Sequence, residues 1–230
     1  MSCLAGGTGA KSGFGIVNKL FLTLIVFLGG YAGAAADAAS DGLPGFFRTW
    51  LAAQKHAPDM RVEFSLTKTL PTLKAPVKSA GRFWSYADGR FRWETGKPAT
   101  AVLVYDGVTL QSWQAAENQW RKLNPNNRSM RLWMDFLGGQ NLTETGLLKD
   151  FLITAPAAGR KPLASVLLEP KSKQERKDVP RIELTFNTAE QRLVQLLIRQ
   201  GDGGSQAMDF GEAKPMTAAD RAVVPPPSRP

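Results

Sequence analysis

Three short apolar segments, separated by turn sequences, occupy the middle of the chain and constrain its fold more than any other feature. They span residues 80–113 and are interrupted at 87–89 (Ala-Asp-Gly), at 95–98 (Thr-Gly-Lys-Pro) and at Asp106-Gly107. Short segments rich in Phe, Trp, Val and Leu between such interruptions are typical of consecutive antiparallel strands. The sequence therefore predicts a β-meander, with Asp106-Gly107 at the centre of a two-residue hairpin turn.

Within this meander, apolar and charged residues alternate strictly from Arg90 to Glu94. Phe91 and Trp93 are the apolar members, and Arg92 lies between them. Successive side chains of a strand point to opposite faces of its sheet. The alternation therefore predicts a sheet with one apolar face and one solvated face.

The same stretch holds a Gly-x-Phe strand, a Phe-x-Trp strand, a proline, a Leu-Val-x-Asp-Gly segment and a tryptophan, in that order. The positions are Gly81 and Phe83, Phe91 and Trp93, Pro98, Leu103 to Gly107, and Trp113. In this order the motifs resemble the LolA-type carriers, which ferry lipoproteins across the periplasm. The resemblance extends, more faintly, over most of the chain that follows the N-terminal segment. It implies an incomplete β-barrel, closed by helices, that holds acyl chains inside.

The N-terminal segment has the pattern of a secretory signal peptide. Lys11 and Lys19 precede the apolar run 20–28, and small residues follow at 32–36. The apolar run is much shorter than the ~20 residues that a membrane-spanning helix needs, so we expect cleavage after Ala36. Residues 1–36 would then be the signal peptide and 37–230 a single carrier domain in the periplasm. The lone cysteine lies in the excised segment, which excludes disulfides and thiol catalysis in the exported protein.

The charge and the residue types of the chain exclude several function classes. The formal net charge is +9, but the basic residues are scattered, and their one local cluster (171–177) is interrupted by an acidic residue. This cluster indicates a solvated loop rather than a phosphate-binding patch, so no nucleic-acid partner is expected. The positive net charge instead indicates attraction to anionic lipid headgroups or to an acidic partner.

The sequence shows no recognisable arrangement of catalytic residues. His56 is the only histidine, and no G-x-S-x-G segment or calcium-binding loop occurs. Nucleophilic catalysis needs a nucleophile with a positioned base, and zinc sites need several His or Cys ligands. We therefore expect no enzyme activity, no metal and no cofactor.

Taken in order, the chain reads as a helix, a set of strands, a second helix and further strands. The first helix spans about 43–55, the second spans 128–137, and the second group of strands begins at Phe151. These patterns predict a mainly β (α+β) fold: a single strongly curved antiparallel sheet that forms an incomplete β-barrel, with helices covering its concave side. The Pro-rich tail, 215–230, is expected to be extended or loosely docked.

The predicted lipid-binding residues combine strand alternation, helix periodicity and the resemblance. Those expected to line the wall of the cavity are Phe64, Leu66, Phe91, Trp93, Val102 and Val104. Those expected to form a helical lid are Phe47, Trp50, Leu51, Trp133 and Leu137. Met130 and Met134 suit a pocket that accepts varied chains.

The resemblance implies a monomeric periplasmic carrier. It would take lipoproteins from an inner-membrane release complex to an outer-membrane receptor. Two alternatives stay open: a LolA-like carrier of another lipid, such as a glycolipid or polyene conjugate, and an exported β module with a filled core and no transport role.

One departure from the family pattern concerns the lid. Lipoprotein carriers of the family usually have Arg-Pro shortly before Phe-x-Trp, and that arginine bonds to the lid. Here Ala87 and Asp88 stand at those positions. Arg90 or Arg92 could substitute, although alternation directs both away from Phe91. The lid is therefore held differently, or the cargo is not a triacylated lipoprotein.

Overall fold

The structure is a computed structural model that describes residues 42–124, 142–156 and 161–223. Its helices and strands, in chain order, are α1 (Gly45–Gln54), β1 (Met60–Thr69), β2 (Val77–Ser85), β3 (Phe91–Thr95), β4 (Ala101–Tyr105), β5 (Leu110–Gln114), β6 (Gln119–Leu123), α2 (Glu144–Asp150), β7 (Phe151–Thr154), β8 (Leu163–Pro170), α3 (Lys173–Asp178), β9 (Arg181–Asn187), β10 (Arg192–Arg199), β11 (Ser205–Phe210), β12 (Lys214–Pro215) and α4 (Ala218–Arg221). The predicted signal peptide, 1–36, and the predicted second helix, 128–137, lie outside the described residues. No helix within the described ranges is long and apolar enough to span a membrane.

All the described strands belong to one antiparallel sheet. Their order is β6-β5-β4-β3-β2-β1-β11-β10-β9-β8-β7, and the short β12 pairs with the first residues of β1. The edge strands β6 and β7 are not paired with each other, so the sheet does not close. The prediction of a mainly β fold with an incomplete barrel is confirmed.

The strand pairing confirms the alternation predicted for β3. Trp93 pairs with Phe83 and Leu103, and all three contact the same apolar cluster. Arg92 and Glu94 lie on the opposite face, where Glu94 forms ion pairs with Arg92 and with Arg82 of the neighbouring strand. We call the face that carries Trp93 the inner face and its opposite the outer face.

The β4–β5 hairpin is present, but its turn lies one residue later than predicted. The Asp106 amide donates to the Thr109 carbonyl (3.3 Å), so Gly107 and Val108 are the central residues. Gly107 has a φ of +99°, a conformation that favours glycine. The Asp106 carboxylate accepts hydrogen bonds from the amides of Val108 and Thr109 (2.9 and 2.6 Å), which makes Asp106 the first corner of the turn.

A second, smaller cluster lies on the outer face. Trp84, Tyr86 and Met216 pack together there, with Val104 against them. The strand β2 therefore buries large side chains on both faces, because the C-terminal segment covers part of its outer side. The tail predicted to be extended or loosely docked, 215–230, is described as far as residue 223. It contains the last residue of β12 and the helix α4, and residues 224–230 lie outside the described ranges.

A buried carboxylate holds this C-terminal segment in place. Asp220 accepts a hydrogen bond from the Trp84 indole nitrogen (2.9 Å) and forms an ion pair with Arg61 (3.3 Å). It also accepts hydrogen bonds from the amide and hydroxyl of Thr217, which complete a capping box for α4. The Tyr86 hydroxyl donates to the Asp220 carbonyl (2.9 Å). The tail is thus bonded to β1, to β2 and to Tyr86, the residue that follows β2.

Candidate functional site

The inner face of the sheet carries a continuous apolar surface. Its aromatic part is centred on Phe64, whose ring centroid lies 4.2 Å from that of Trp93 and 6.1 Å from that of Phe210. The Phe64 ring lies over Gly81, where a Cβ atom would overlap it. The glycine of the Gly-x-Phe motif therefore makes room for an aromatic contact between β1 and β3.

The remainder of the inner face, on β7 to β11, is mainly aliphatic, with Phe151 and Phe186 as its buried aromatic residues. Ile182, Leu184 and Phe186 alternate along β9 and are almost fully buried. The neighbouring strands add further buried side chains to the same cluster, which are Ile153, Val166, Leu168, Leu196, Ile198 and Met208. These residues share one face because side chains alternate along a strand. The intervening residues of β9 point to the other face and are only half-buried or exposed.

Four of the six predicted wall residues lie on the inner face. Phe64, Leu66, Phe91 and Trp93 are all buried in the main cluster. The structure thus brings together the residues chosen from alternation in β1 and β3.

The placement of Val102 and Val104 on this wall is wrong. Val102 pairs with Glu94, and Val104 packs against the outer cluster, so both valines belong to the outer face. Leu103 and Tyr105 take the inner positions on β4. Every residue of β4 is apolar or aromatic, so alternation gave no indication of which side faces inward, and the pairing with β3 decides it.

The helix α1 packs against the aliphatic half of the sheet. Phe47, Trp50 and Leu51 are buried, as the helical spacing predicts. The Trp50 and Phe186 rings meet nearly edge to face at a centroid distance of 5.2 Å, and Phe47 lies 5.5 Å from Phe186. Trp133 and Leu137, the other predicted lid residues, and the neighbouring Met130 and Met134 lie outside the described residues.

An exposed ion pair joins α1 to α2. The Arg48 guanidinium donates to both carboxylate oxygens of Glu144 (3.2 Å each), and the Leu43 amide also approaches Glu144 (3.5 Å). The hydrogen bond from Arg48 holds the pKa of Glu144 below its ordinary value. This pair therefore ties the helix that covers the sheet to the segment that leads into the edge strand β7.

The two arginines considered as substitutes for the family's lid arginine have partners elsewhere. Arg92 pairs with Glu94 on the outer face, and Arg90 pairs with Asp88 (2.8 Å) and lies over the Tyr86 ring. These contacts are directed away from α1. Sequence reasoning did not identify Arg48 and Glu144, which are 96 residues apart and have no local signature.

The apolar inner face is closed in this structure. Phe91, Leu103 and Leu110 are at most 3% exposed, and Trp93 is 7% exposed. Beside α1 an open groove of about 80 Å³ remains. It is lined by Phe46, Thr49, Trp50, Phe186, Asn187, Thr188 and Gln191. Access to the wall therefore requires displacement of the elements that cover it.

The inner face is not uniformly apolar. Ser112 and Gln114 follow Leu110 at alternate positions of β5 and are buried, at 1% and 3% exposed. Neither polar atom of the Gln114 amide has a hydrogen-bond partner in the part of the chain that the structure describes. A buried amide without a partner is costly. The Gln114 amide is therefore a polar point within an otherwise apolar part of the inner face.

The described residues contain no cluster of three or more His, Cys, Asp or Glu side chains able to hold a metal ion. His56, the only histidine, follows α1 at an exposed position, where its amide donates to the Ala53 carbonyl. The apolar inner face, together with the helix that covers part of it, is thus the candidate functional site.

Comparison with protein families identifies this architecture. The family model described as "Outer membrane lipoprotein carrier protein LolA" matches residues 55–223. The chain belongs to the LolA family. This is a family of periplasmic carriers rather than enzymes, and its matched region includes every described strand. A comparison with curated proteins finds no match.

Solved structures similar to this LolA-family chain include three from different bacteria. A putative outer membrane lipoprotein-sorting protein domain from Vibrio parahaemolyticus is 9% identical, with 79% of this chain and 94% of that one covered and a TM-score of 0.44. A LolA superfamily protein from Nitrosomonas europaea is 11% identical, with 74% and 93% covered and a TM-score of 0.38. The MucA/MucB complex of Pseudomonas aeruginosa matches at 13% identity, with 75% and 58% covered and a TM-score of 0.42.

Proposed function

We propose that this LolA-family protein carries acyl chains on the inner face of its open sheet, beneath α1. The observation that supports this most strongly is the continuous apolar face from Phe91 and Trp93 to Phe186. Its β9 side lies under α1, which contributes Phe47 and Trp50. An acyl chain gains about 0.8 kcal/mol for each methylene group that it buries. A carrier of this kind needs no catalytic group, only an apolar surface that can be uncovered and covered again.

Loading would require α1 to move away from β9, because the residues of the inner face are buried. The aromatic contacts of Trp50 and Phe47 with Phe186 would then be exchanged for contacts with the cargo. Apolar contacts are non-directional, so one apolar partner can replace another at little net cost. The exposed Arg48–Glu144 pair would oppose this movement only weakly.

The cargo we propose is the acyl part of a lipoprotein, taken up at the inner membrane and delivered to the outer membrane. The protein would be exported with its signal peptide removed and would act in the periplasm as a monomer. It would meet an inner-membrane release complex and an outer-membrane receptor in turn, each transiently. The family membership supports this proposal, and the apolar inner face is consistent with it.

A second candidate is the transport of another acylated lipid, such as a glycolipid or polyene conjugate. The observation that favours it is the absence of the family's usual lid arginine, since Ala87 stands at that position and Arg48 ties α1 instead. The two candidates share the apolar face and differ in the group attached to the acyl chain.

Native mass spectrometry of gently purified protein would test both candidates. Co-purification of lipoproteins would support the first candidate, and co-purification of a smaller lipid would support the second. A protein that carries no lipid and binds no fatty acid would be an exported structural module instead.

Trp93 is expected to contact the bound acyl chain. A brominated fatty acid quenches tryptophan that it touches, so Trp93→Phe should remove a substantial share of the quenching while leaving affinity nearly unchanged. Trp113→Phe is the matched control, because Trp113 pairs with Val102 on the outer face. Trp93→Asp should weaken binding of the fatty acid more than tenfold, since it places a charge on an apolar wall. Full quenching in Trp93→Phe would exclude Trp93 from the wall.

Arg48→Ala is expected to speed the uptake of a fluorescent fatty acid by a few-fold. The substitution removes the exposed ion pair between α1 and α2, so the helix leaves the sheet more readily. Stopped-flow fluorescence would measure the association rate. Arg181→Ala is the control, because it breaks a comparably exposed ion pair, with Glu169, between two strands that stay in place. An association rate equal to that of the wild type would show that α1 does not limit entry.

A further inference from the structure

One end of the sheet projects a hairpin loop. Thr69 pairs with Ser205, Ser205 pairs with Arg199, and Arg199 pairs with Arg181, so these four positions mark a single end of the sheet. The loop between β1 and β2, residues 70–76, begins at this end. The Leu73 amide donates to the Leu70 carbonyl (3.0 Å), which closes a turn within the loop.

This loop exposes apolar side chains that nothing described in the structure covers. Every residue from Pro71 to Lys78 is exposed, and Leu73 and Val77 are 48% and 47% exposed. Pro71 and Pro76 restrict the backbone on either side of the turn. The side chains of Leu73 and Val77 are therefore held in solvent by a loop with limited freedom.

The surroundings of the loop are basic. Lys74 and Lys78 belong to the exposed segment itself, which contains no acidic residue. The short helix α3 lies at the same end, because it directly precedes Arg181, and the Asp178 carbonyl accepts a hydrogen bond from Gly201. Exposed basic residues on α3 and at the end of β10 are Lys173, Arg176, Lys177 and Arg199. The acidic residues at this end are half-buried, and Glu169 among them pairs with Arg181. They are Asp150, Glu169, Glu175, Asp178 and Asp202.

We infer that this end of the sheet docks on the surface of an anionic membrane. The lysines would lie against the lipid headgroups, and Leu73 and Val77 would enter the interface between headgroups and acyl chains. Basic residues attract anionic lipid surfaces, and exposed apolar side chains among them add burial at the interface. With only two apolar side chains inserted, the attachment is weak and reversible. The inference goes beyond acyl-chain transport, since it assigns a membrane contact to residues outside the inner face.

Co-sedimentation of the exported chain with lipid vesicles tests the inference. The protein is expected to bind vesicles that contain phosphatidylglycerol more tightly than vesicles of phosphatidylcholine alone, and added salt should weaken the binding. Lys74→Glu and Lys78→Glu should each reduce partitioning at least about fivefold, because a lysine near an anionic surface contributes about a factor of five. Leu73→Ser combined with Val77→Ser should also reduce it.

Val108→Ser is the matched control. Val108 is 69% exposed, but it lies in the β4–β5 turn at the opposite end of the sheet. Its substitution should leave vesicle binding unchanged. The inference is overturned if the wild type binds both kinds of vesicle equally, or if the Leu73/Val77 variant binds phosphatidylglycerol vesicles as well as the wild type. Binding of a fluorescent fatty acid, measured on the same variants without vesicles, separates this result from a failure of the carrier proposal.

Discussion

Gly81→Ala is expected to lower the free energy of unfolding by about 3 kcal/mol. The added methyl group would overlap the ring of Phe64 and lie 2.5 Å from the carbonyl oxygen of Glu94. The Phe64 ring is confined by Trp93 on the neighbouring side. The Glu94 carbonyl belongs to β3, whose backbone is paired on both sides, so neither neighbour can move without loss of other contacts.

Urea unfolding followed by tryptophan fluorescence would measure this effect. Gly45→Ala is the matched control, because a methyl group at Gly45, the first residue of α1, meets no atom within 4 Å. The control should change stability by less than about 0.5 kcal/mol. Equal unfolding midpoints for Gly81→Ala and the wild type would show that the Phe64 ring does not lie over Gly81.

Asp220→Ala is expected to lower the free energy of unfolding by about 2 kcal/mol. The substitution leaves the buried Trp84 indole nitrogen without its acceptor and removes the capping box that starts α4. Urea unfolding would measure the loss, and proteolysis of the native protein would show earlier cleavage after β12. Asp209→Ala, at an exposed carboxylate on β11, should have a much smaller effect. Unchanged stability and proteolysis would mean that the tail is not held by Asp220.

The contribution of Asp220 should also depend on pH. The hydrogen bond from Trp84, followed by those from Thr217 and the charge of Arg61, holds the pKa of Asp220 well below its ordinary value of 3.8. A carboxyl group whose pKa is lower in the folded state stabilises the fold fully above its unfolded pKa and less as the pH falls below it. The stability difference between the wild type and Asp220→Asn should therefore be constant above about pH 4 and shrink below that pH. A difference that persists undiminished in acid would contradict this assignment.

Local sequence patterns were sufficient wherever the two sides of an element differ in chemistry. The alternation from Phe91 to Glu94 correctly separated the inner and outer faces of β3, and helical spacing identified Phe47, Trp50 and Leu51 as the buried side of α1. The order of motifs from Gly81 to Trp113 was enough to identify the family. These predictions succeeded because each depends on neighbours within a few residues of the chain.

The tertiary structure decided what such patterns leave open. The strand β4 is apolar on both sides, so only its pairing with β3 directs Leu103 rather than Val102 inward. The sequence shows a glycine at position 81, but the reason for it is the ring of Phe64 on another strand.

Two ion pairs join residues that are far apart in the sequence. Arg48 meets Glu144, and Arg61 meets Asp220 at a separation of 159 residues, and neither pair has a local signature. A charged residue on a strand or helix has the same local pattern whether it faces solvent or a distant partner. The sequence by itself therefore determined the family and the inward side of those elements whose two sides differ in chemistry. The folded sheet determined the inward side of β4, which faces are covered and what holds the covering segments, because these depend on residues far apart in the chain.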